Sequence, residues 1–238
     1  MTFEELQTEV QSWLLDLPSG ASTRVPGWIN KAIRDAEERH NFLCMEATIA
    51  ATQTVDQTRL LVAKPSNWKE HRGDPYRVNQ DGSNTPIKWA ASEQDMVNTY
   101  ASTTPAEGNP TPVDEGAPRY LLERETQIDV YPLPDTESEW TNGNYRVVVP
   151  YWKYLADLSQ DADENFFTEQ APYYCIWKAV ELGLKWNRDE RAQSYALDAE
   201  REFKKLVRKD KLSRLPDRLA LAVHKGVYGT PSRFGLRS

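Results

Sequence analysis

Apolar residues recur at helical spacing at both ends of this chain and at strand spacing in its middle, so neither an all-α nor an all-β domain accommodates it. At the N-terminal end Phe3, Leu6, Val10, Trp13, Leu14 and Leu17 form one stripe. Thr2 and Glu5 fit a capping box, in which each side chain satisfies a free backbone donor of the other. Pro18 and Gly20 are expected to stop this helix. A second helix is expected from Pro26, where the missing N–H costs nothing. Trp28, Ile29, Ala32, Ile33, Ala36 and His40 line its face, and it should run into Asn41–Phe42. Two amphipathic helices on a short turn make a helical hairpin.

From Glu46 the period changes. Thr48–Val55 and Arg59–Ala63 read as short strands around Asp56–Gln57. Lys64 to Pro118 reads as irregular, broken by repeated Pro and Gly, with Ile87, Trp89, Met96, Val97 and Tyr100 as a possible strand and short helix. Ala101 to Pro118 reads as an exposed loop. Strand signals return at Tyr120–Glu125, Gln127–Leu133 and Asn144–Tyr151, expected to form one antiparallel sheet with a wide connection from Pro134 to Gly143. Asn142–Gly143 suits a turn with positive φ.

Helical spacing resumes after the acidic loop Asp157–Glu164. One helix is expected from Phe166 to Trp186 and a last one from Asp189 to Leu212, where Ala192, Tyr195, Ala196, Ala199, Phe203, Leu206 and Val207 share a face. Asp189 and Glu190 at its start and Arg208, Lys209 and Lys211 at its end complement the helix dipole.

The end of the chain differs from the rest. Residues 201–238 hold 11 of the 29 Lys and Arg, with Glu202, Asp210 and Asp217 as the only acids, a balance of +8 against −15 for residues 1–200. Beyond Leu215 the segment is broken by Pro216, Gly226, Gly229, Pro231 and Gly235 yet keeps apolar side chains. It is too apolar for a simple solvated tail and too broken for a core of its own. The expected destination of these side chains is another protein, and Arg214, Arg218, Leu219, Leu221, Val223, Lys225, Val227, Tyr228, Arg233, Phe234, Leu236 and Arg237 are the candidate partner-binding residues. Fully extended, residues 216–238 would reach on the order of 75 Å at about 3.3 Å per residue.

Eight Trp, eleven Tyr and six Phe offset a modest aliphatic content, and such residues anchor interfaces as well as cores. No run approaches the roughly 18 apolar residues that span a bilayer. Acids in Met1–Leu17 argue against a secretion signal. Cys44 and Cys175 are expected to be reduced and buried, as in a cytoplasmic chain. His40, His71 and His224 show no metal spacing, and no Gly-rich phosphate loop or G-x-S-x-G is present. The acidic pairs, Glu37–Glu38 among them, read as solvated surface. No catalytic, cofactor-binding or metal residue is assigned.

Three stretches carry a family likeness: Arg24-Val25-Pro26-Gly27-Trp28-Ile29-Asn30-Lys31-Ala32-Ile33-Arg34 with Glu38-Arg39-His40-Asn41-Phe42; Gln127-Ile128-Asp129-Val130-Tyr131-Pro132-Leu133-Pro134; and Tyr145–Leu155 leading into two closing helices. Over roughly residues 2–212 the chain resembles the head-to-tail adaptor (connector) proteins of tailed double-stranded DNA phages. The resemblance implies a virion structural protein at the head–tail junction, synthesised in the host cytoplasm, and not an enzyme. It implies a homo-oligomeric ring, twelve copies in number, beneath the portal protein. Such a ring extends the DNA ejection channel, passes genomic DNA without reading its sequence, and offers a surface to tail tube, nozzle or fibre proteins. No membrane is involved. The C-terminal segment would reach the portal. An acidic inner wall would resist sticking to the exiting DNA.

The expected fold is α+β: a helical bundle from the N-terminal hairpin (1–45) and the C-terminal helix pair (157–212), an inserted antiparallel β region (46–156), and an extended basic arm (213–238). Two other readings remain. The basic tail would suit a nucleic-acid-binding accessory protein, although no base-reading module accompanies it. Carboxylates within Lys64–Pro118 would suit a hydrolase.

Overall fold

The computed structural model describes residues 1–15, 18, 20–53, 61–79, 82–92, 94, 96, 117–132 and 145–214. It divides the chain into two units: Met1–Cys44 with the chain from Leu155 onward, which is helical, and Met45–Tyr154, which is built of strands. The fold class is α+β.

In the helical unit, α1 (Phe3–Trp13) carries the expected capping box of Thr2 with Glu5. Phe3, Leu6, Val10 and Leu14 are buried, but the helix ends at Trp13, not at Leu17. There the Leu14 N–H turns back to Gln11 O in a tightened last turn, and Trp13 remains exposed. Helix α2 (Val25–Arg39) has Pro26 in its first turn and buries Trp28, Ile29, Ala32, Ile33 and Ala36. It stops one residue before His40, whose backbone is extended (φ −152, ψ 141), so the helix does not run into Phe42. Glu37, read from sequence as surface, is fully buried on the same face.

The expected single helix over Phe166–Trp186 is two, α3 (Phe166–Gln170) and α4 (Pro172–Trp186). The Pro172 ring disfavours the helical conformation at the residue before it, and Ala171 sits at φ −145, ψ 48. Helix α5 (Ala192–Ser213) begins three residues later than expected, because Asp189 uses its carboxylate to bind the Arg191 backbone and guanidinium ahead of the first turn. Helix α4 packs on α1, α2 and α5, and α1 also packs on α2. Among the described residues no helix is long and apolar enough to cross a membrane.

The β unit contains two sheets where one was expected. The first joins β1 (Glu46–Gln53), β9 (Tyr145–Lys153), β4 (Tyr76–Val78) and β5 (Asn84–Pro86) in that order, with β3 (Trp68–His71) also on β9. The second runs β2 (Leu61–Ala63), β8 (Gln127–Tyr131), β7 (Tyr120–Glu123), β6 (Lys88–Trp89), with β6 and β7 parallel. Val147 and Val149 of the first sheet meet Val62, Leu121, Ile128 and Val130 of the second, with Ile87 between β5 and β6, in one core. Alternation identified these strands, but pairing over long sequence separations decides which sheet each joins. The stretch from Lys64 is likewise less irregular than expected, since it supplies β3 to β6. Met96 is buried. Asp56–Gln57, Val97, Tyr100, residues 101–116 and the connection Pro134–Gly143 with its Asn142–Gly143 turn lie outside the described residues. Cys44 and Cys175 are both free thiols; Cys175 is fully buried and Cys44 partly so.

Candidate functional site

The C-terminal end of α5, where the basic arm of the sequence begins, is built around one buried carboxylate. Ala199, Phe203 and Leu206 form the buried stripe of α5, and Asp210 falls on the same stripe four residues on. The helix therefore aims a carboxylate inward, with 4% of the residue exposed. A charge there persists only if its oxygens are engaged.

Three donors engage them. The Leu43 backbone N–H reaches Asp210 Oδ1 at 2.8 Å. His40 Nε2 lies 3.0 Å from Oδ2, and Arg214 Nε donates to that oxygen at 2.9 Å. Arg214 Nη2 also donates to the Asn41 carbonyl. The extended backbone at His40, which ends α2, brings residues 40–43 alongside the end of α5. Phe42 seats the same segment: it is fully buried, edge-on to Phe167 at 5.2 Å and to Phe203 at 6.4 Å. Burial on its own would push the Asp210 carboxyl up. The Leu43 N–H, His40 and Arg214 outweigh it and hold the group below the usual Asp value.

Chemically this is a clamp. A carboxylate–imidazole pair can serve proton transfer, but here one Asp210 oxygen is shared by His40 and Arg214 and the other is taken by the backbone. It fixes the first residue of the arm to the helical unit. Of the candidate partner-binding residues, Arg214 is the one the structure places, as the C-cap of α5 with its guanidinium on Asp210 and Asn41. Arg218, Leu219, Leu221, Val223, Lys225, Val227, Tyr228, Arg233, Phe234, Leu236 and Arg237 lie outside the described residues. Sequence reasoning missed Asp210 by counting it with the charges of a basic segment. Its position on the stripe of Ala199, Phe203 and Leu206 was the available signal.

The β unit holds a second polar cluster. Glu123 accepts from Lys64 Nζ at 2.7 Å and Trp68 Nε1 at 3.1 Å, and its other oxygen lies 3.0 Å from His71 Nδ1. Trp68 stacks on Tyr151 at 4.8 Å between ring centres. Burial acts to raise the Glu123 carboxyl, but Lys64 and His71 bring it below its ordinary value. The cluster staples β3 to β7. Glu70 and Asp74, described acids of the Lys64–Pro118 stretch, are both exposed. Among the described residues no three His, Cys, Asp or Glu side chains gather as a metal site.

No curated protein matches this chain. A family profile described as SU10 adaptor protein matches residues 1–221, which takes in both units and ends inside the basic arm. With nine-tenths of its length inside that match, the chain belongs to the SU10 adaptor protein family, in keeping with its resemblance to phage head-to-tail adaptors.

Proposed function

We propose that this chain is the ring-forming head-to-tail adaptor of a tailed phage, docked on the portal protein by its C-terminal arm. The helices of residues 1–45 and 157–212 act as the bundle that forms the ring wall, residues 46–156 as the β insertion, and residues 213–238 as the docking arm. Twelve copies surround a lumen that extends the DNA ejection channel, and the far side receives tail tube, nozzle or fibre proteins. The observation that carries this reading is the arm root. A cationic segment with interspersed apolar side chains starts from a residue, Arg214, held on a buried carboxylate and a main-chain carbonyl. A docking segment joined to a fixed point can engage a partner without disturbing the body that carries it.

The test is truncation after Arg214, which leaves the clamp intact. The shortened protein should keep its thermal melting and lose co-sedimentation with portal. Retained docking by the truncated chain would overturn the assignment of the arm. Salt-sensitive binding of duplex DNA, lost on the same truncation while portal docking persists, would favour the nucleic-acid accessory reading instead.

A further inference from the structure

The helical unit carries opposite charge on two flanks, and α5 separates them. The buried stripe of α5 points to the core. At about 100° per residue, Lys204, Val207 and Lys211 lie to one side of that stripe and Lys209 to the other. Lys209 Nζ donates to Gln170 Oε1, so α3 lies on the Lys209 side. Glu164 and Glu169 belong to that side. The residues just before α3 reach the start of α1 through Phe3 N–H to Asp163 O and Glu4 N–H to Asp161 O, both 3.0 Å, which adds Glu4 and Asp161. All four carboxylates are exposed, and none forms an ion pair with another described residue.

On the other flank Arg208 and Lys211 are exposed and also without an ion pair among the described residues. Lys204 reaches Glu200 only at 3.7 Å. Val207 is half-buried, and it lines one open groove with Lys204, Arg208, Lys211 and Leu212, which is 42% exposed. An apolar strip edged by free cations fits a protein surface of opposite sign. The chain's own arm is not that surface, because Arg218, Lys225, Arg233 and Arg237 outnumber its single acid, Asp217. The α3 flank of another copy is.

We infer that the Lys204–Val207–Arg208–Lys211–Leu212 flank of one copy seats on the Glu4–Asp161–Glu164–Glu169 flank of the next, repeating head to tail until the ring closes. The inference rests on the ring reading above and names the surfaces through which copies meet. Exposed ion pairs contribute little each. Their part is to select partner and orientation, while Val207 and Leu212 supply buried apolar area.

The test uses the full chain with portal, imaged by negative-stain electron microscopy and scored as portals bearing a second complete annulus. R208E/K211E and E164K/E169K should each lower that fraction by about tenfold or more. An equimolar mixture of the two should restore it, since each supplies the charge the other lacks, and a chain carrying all four changes should assemble alone. Melting curves separate lost assembly from lost fold; should a reversal melt early, the neutral pair R208Q/K211Q is read in its place. Undiminished annuli with either reversal overturn the inference while leaving the ring reading intact. So do intact annuli with loss of salt-dependent duplex binding in R208E/K211E, which would make this flank a nucleic-acid surface. No annulus from the wild-type chain overturns the ring reading, and the inference with it.

Discussion

Glu37, fully buried in α2, accepts the main-chain N–H of Leu155 at 2.8 Å. Asp210 does the same for Leu43, also at 2.8 Å. Leu43 and Leu155 sit at the two places where the chain leaves and re-enters the helical unit. Each crossing is thus held by a buried carboxylate reaching from a long helix, and each carboxylate is balanced by an arginine: Arg34 for Glu37 at 3.0 Å, Arg214 for Asp210 at 2.9 Å.

Asp210→Ala should lower the unfolding free energy by about 2–3 kcal/mol, chiefly from the lost hydrogen bonds to the Leu43 N–H, His40 and Arg214. Urea denaturation followed by circular dichroism reads it. The native Asp210 carboxyl titrates below its unfolded counterpart. Its contribution is therefore complete above the ordinary Asp value near 3.9 and lost as the pH falls through the native value. Asp210→Asn should flatten that part of the acid limb, and an unchanged limb would show that other carboxylates govern it.

Glu37→Met removes the acceptor of the Leu155 N–H and leaves Arg34 without its buried partner. A loss of about 2–4 kcal/mol follows. Glu37→Gln, which keeps a neutral acceptor, should lose less. Equal losses would mean that the charge on Glu37, not its hydrogen bond to Leu155, is what matters.

Gly183 lies inside α4, where glycine ordinarily weakens a helix by about 1 kcal/mol relative to alanine. Here a Cβ would come within 2.9 Å of both Leu14 Cδ1 and Trp28 Cζ3. Because the Trp28 ring is packed and rigid, Gly183→Ala should destabilise by about 1–2 kcal/mol despite the gain in propensity. A raised melting temperature would show that α1 and α2 yield at this contact.

Burial pushes the Cys175 thiol up to about 12. It should resist a maleimide or disulfide reagent in the native protein at neutral pH, while Cys44, only partly buried, reacts first. Mass spectrometry after timed labelling should show one modification early and two only after unfolding. Equal labelling rates would contradict the packing of α4.

The helices were legible because each carries a continuous apolar stripe and local stop signals: Thr2 with Glu5 and Pro26 mark ends that the structure keeps. The Pro172 break follows from chemistry visible in the sequence, but the apolar run across it masks the interruption. The β unit was read less well. Whether Gln127–Tyr131 pairs with Leu61–Ala63 or with Tyr145–Lys153 depends on contacts between distant segments, which alternation does not encode. The buried carboxylates of the helical unit were the least visible. Glu37 and Asp210 look like surface charges when tallied by composition, and they declare themselves only when their place on the helical stripe is followed turn by turn.

Strands β1 and β9 pair along their whole length, with Glu46 opposite Trp152. The entrance and exit of the strand-built portion are therefore neighbours, about 5 Å apart at the Cα atoms as across any antiparallel pair. A short linker could bridge that gap, so the strand-built portion is a cassette. It can be enlarged, trimmed or exchanged for another hairpin-ended module with the helices left as they are, a route by which one mounting could come to carry many different attachments.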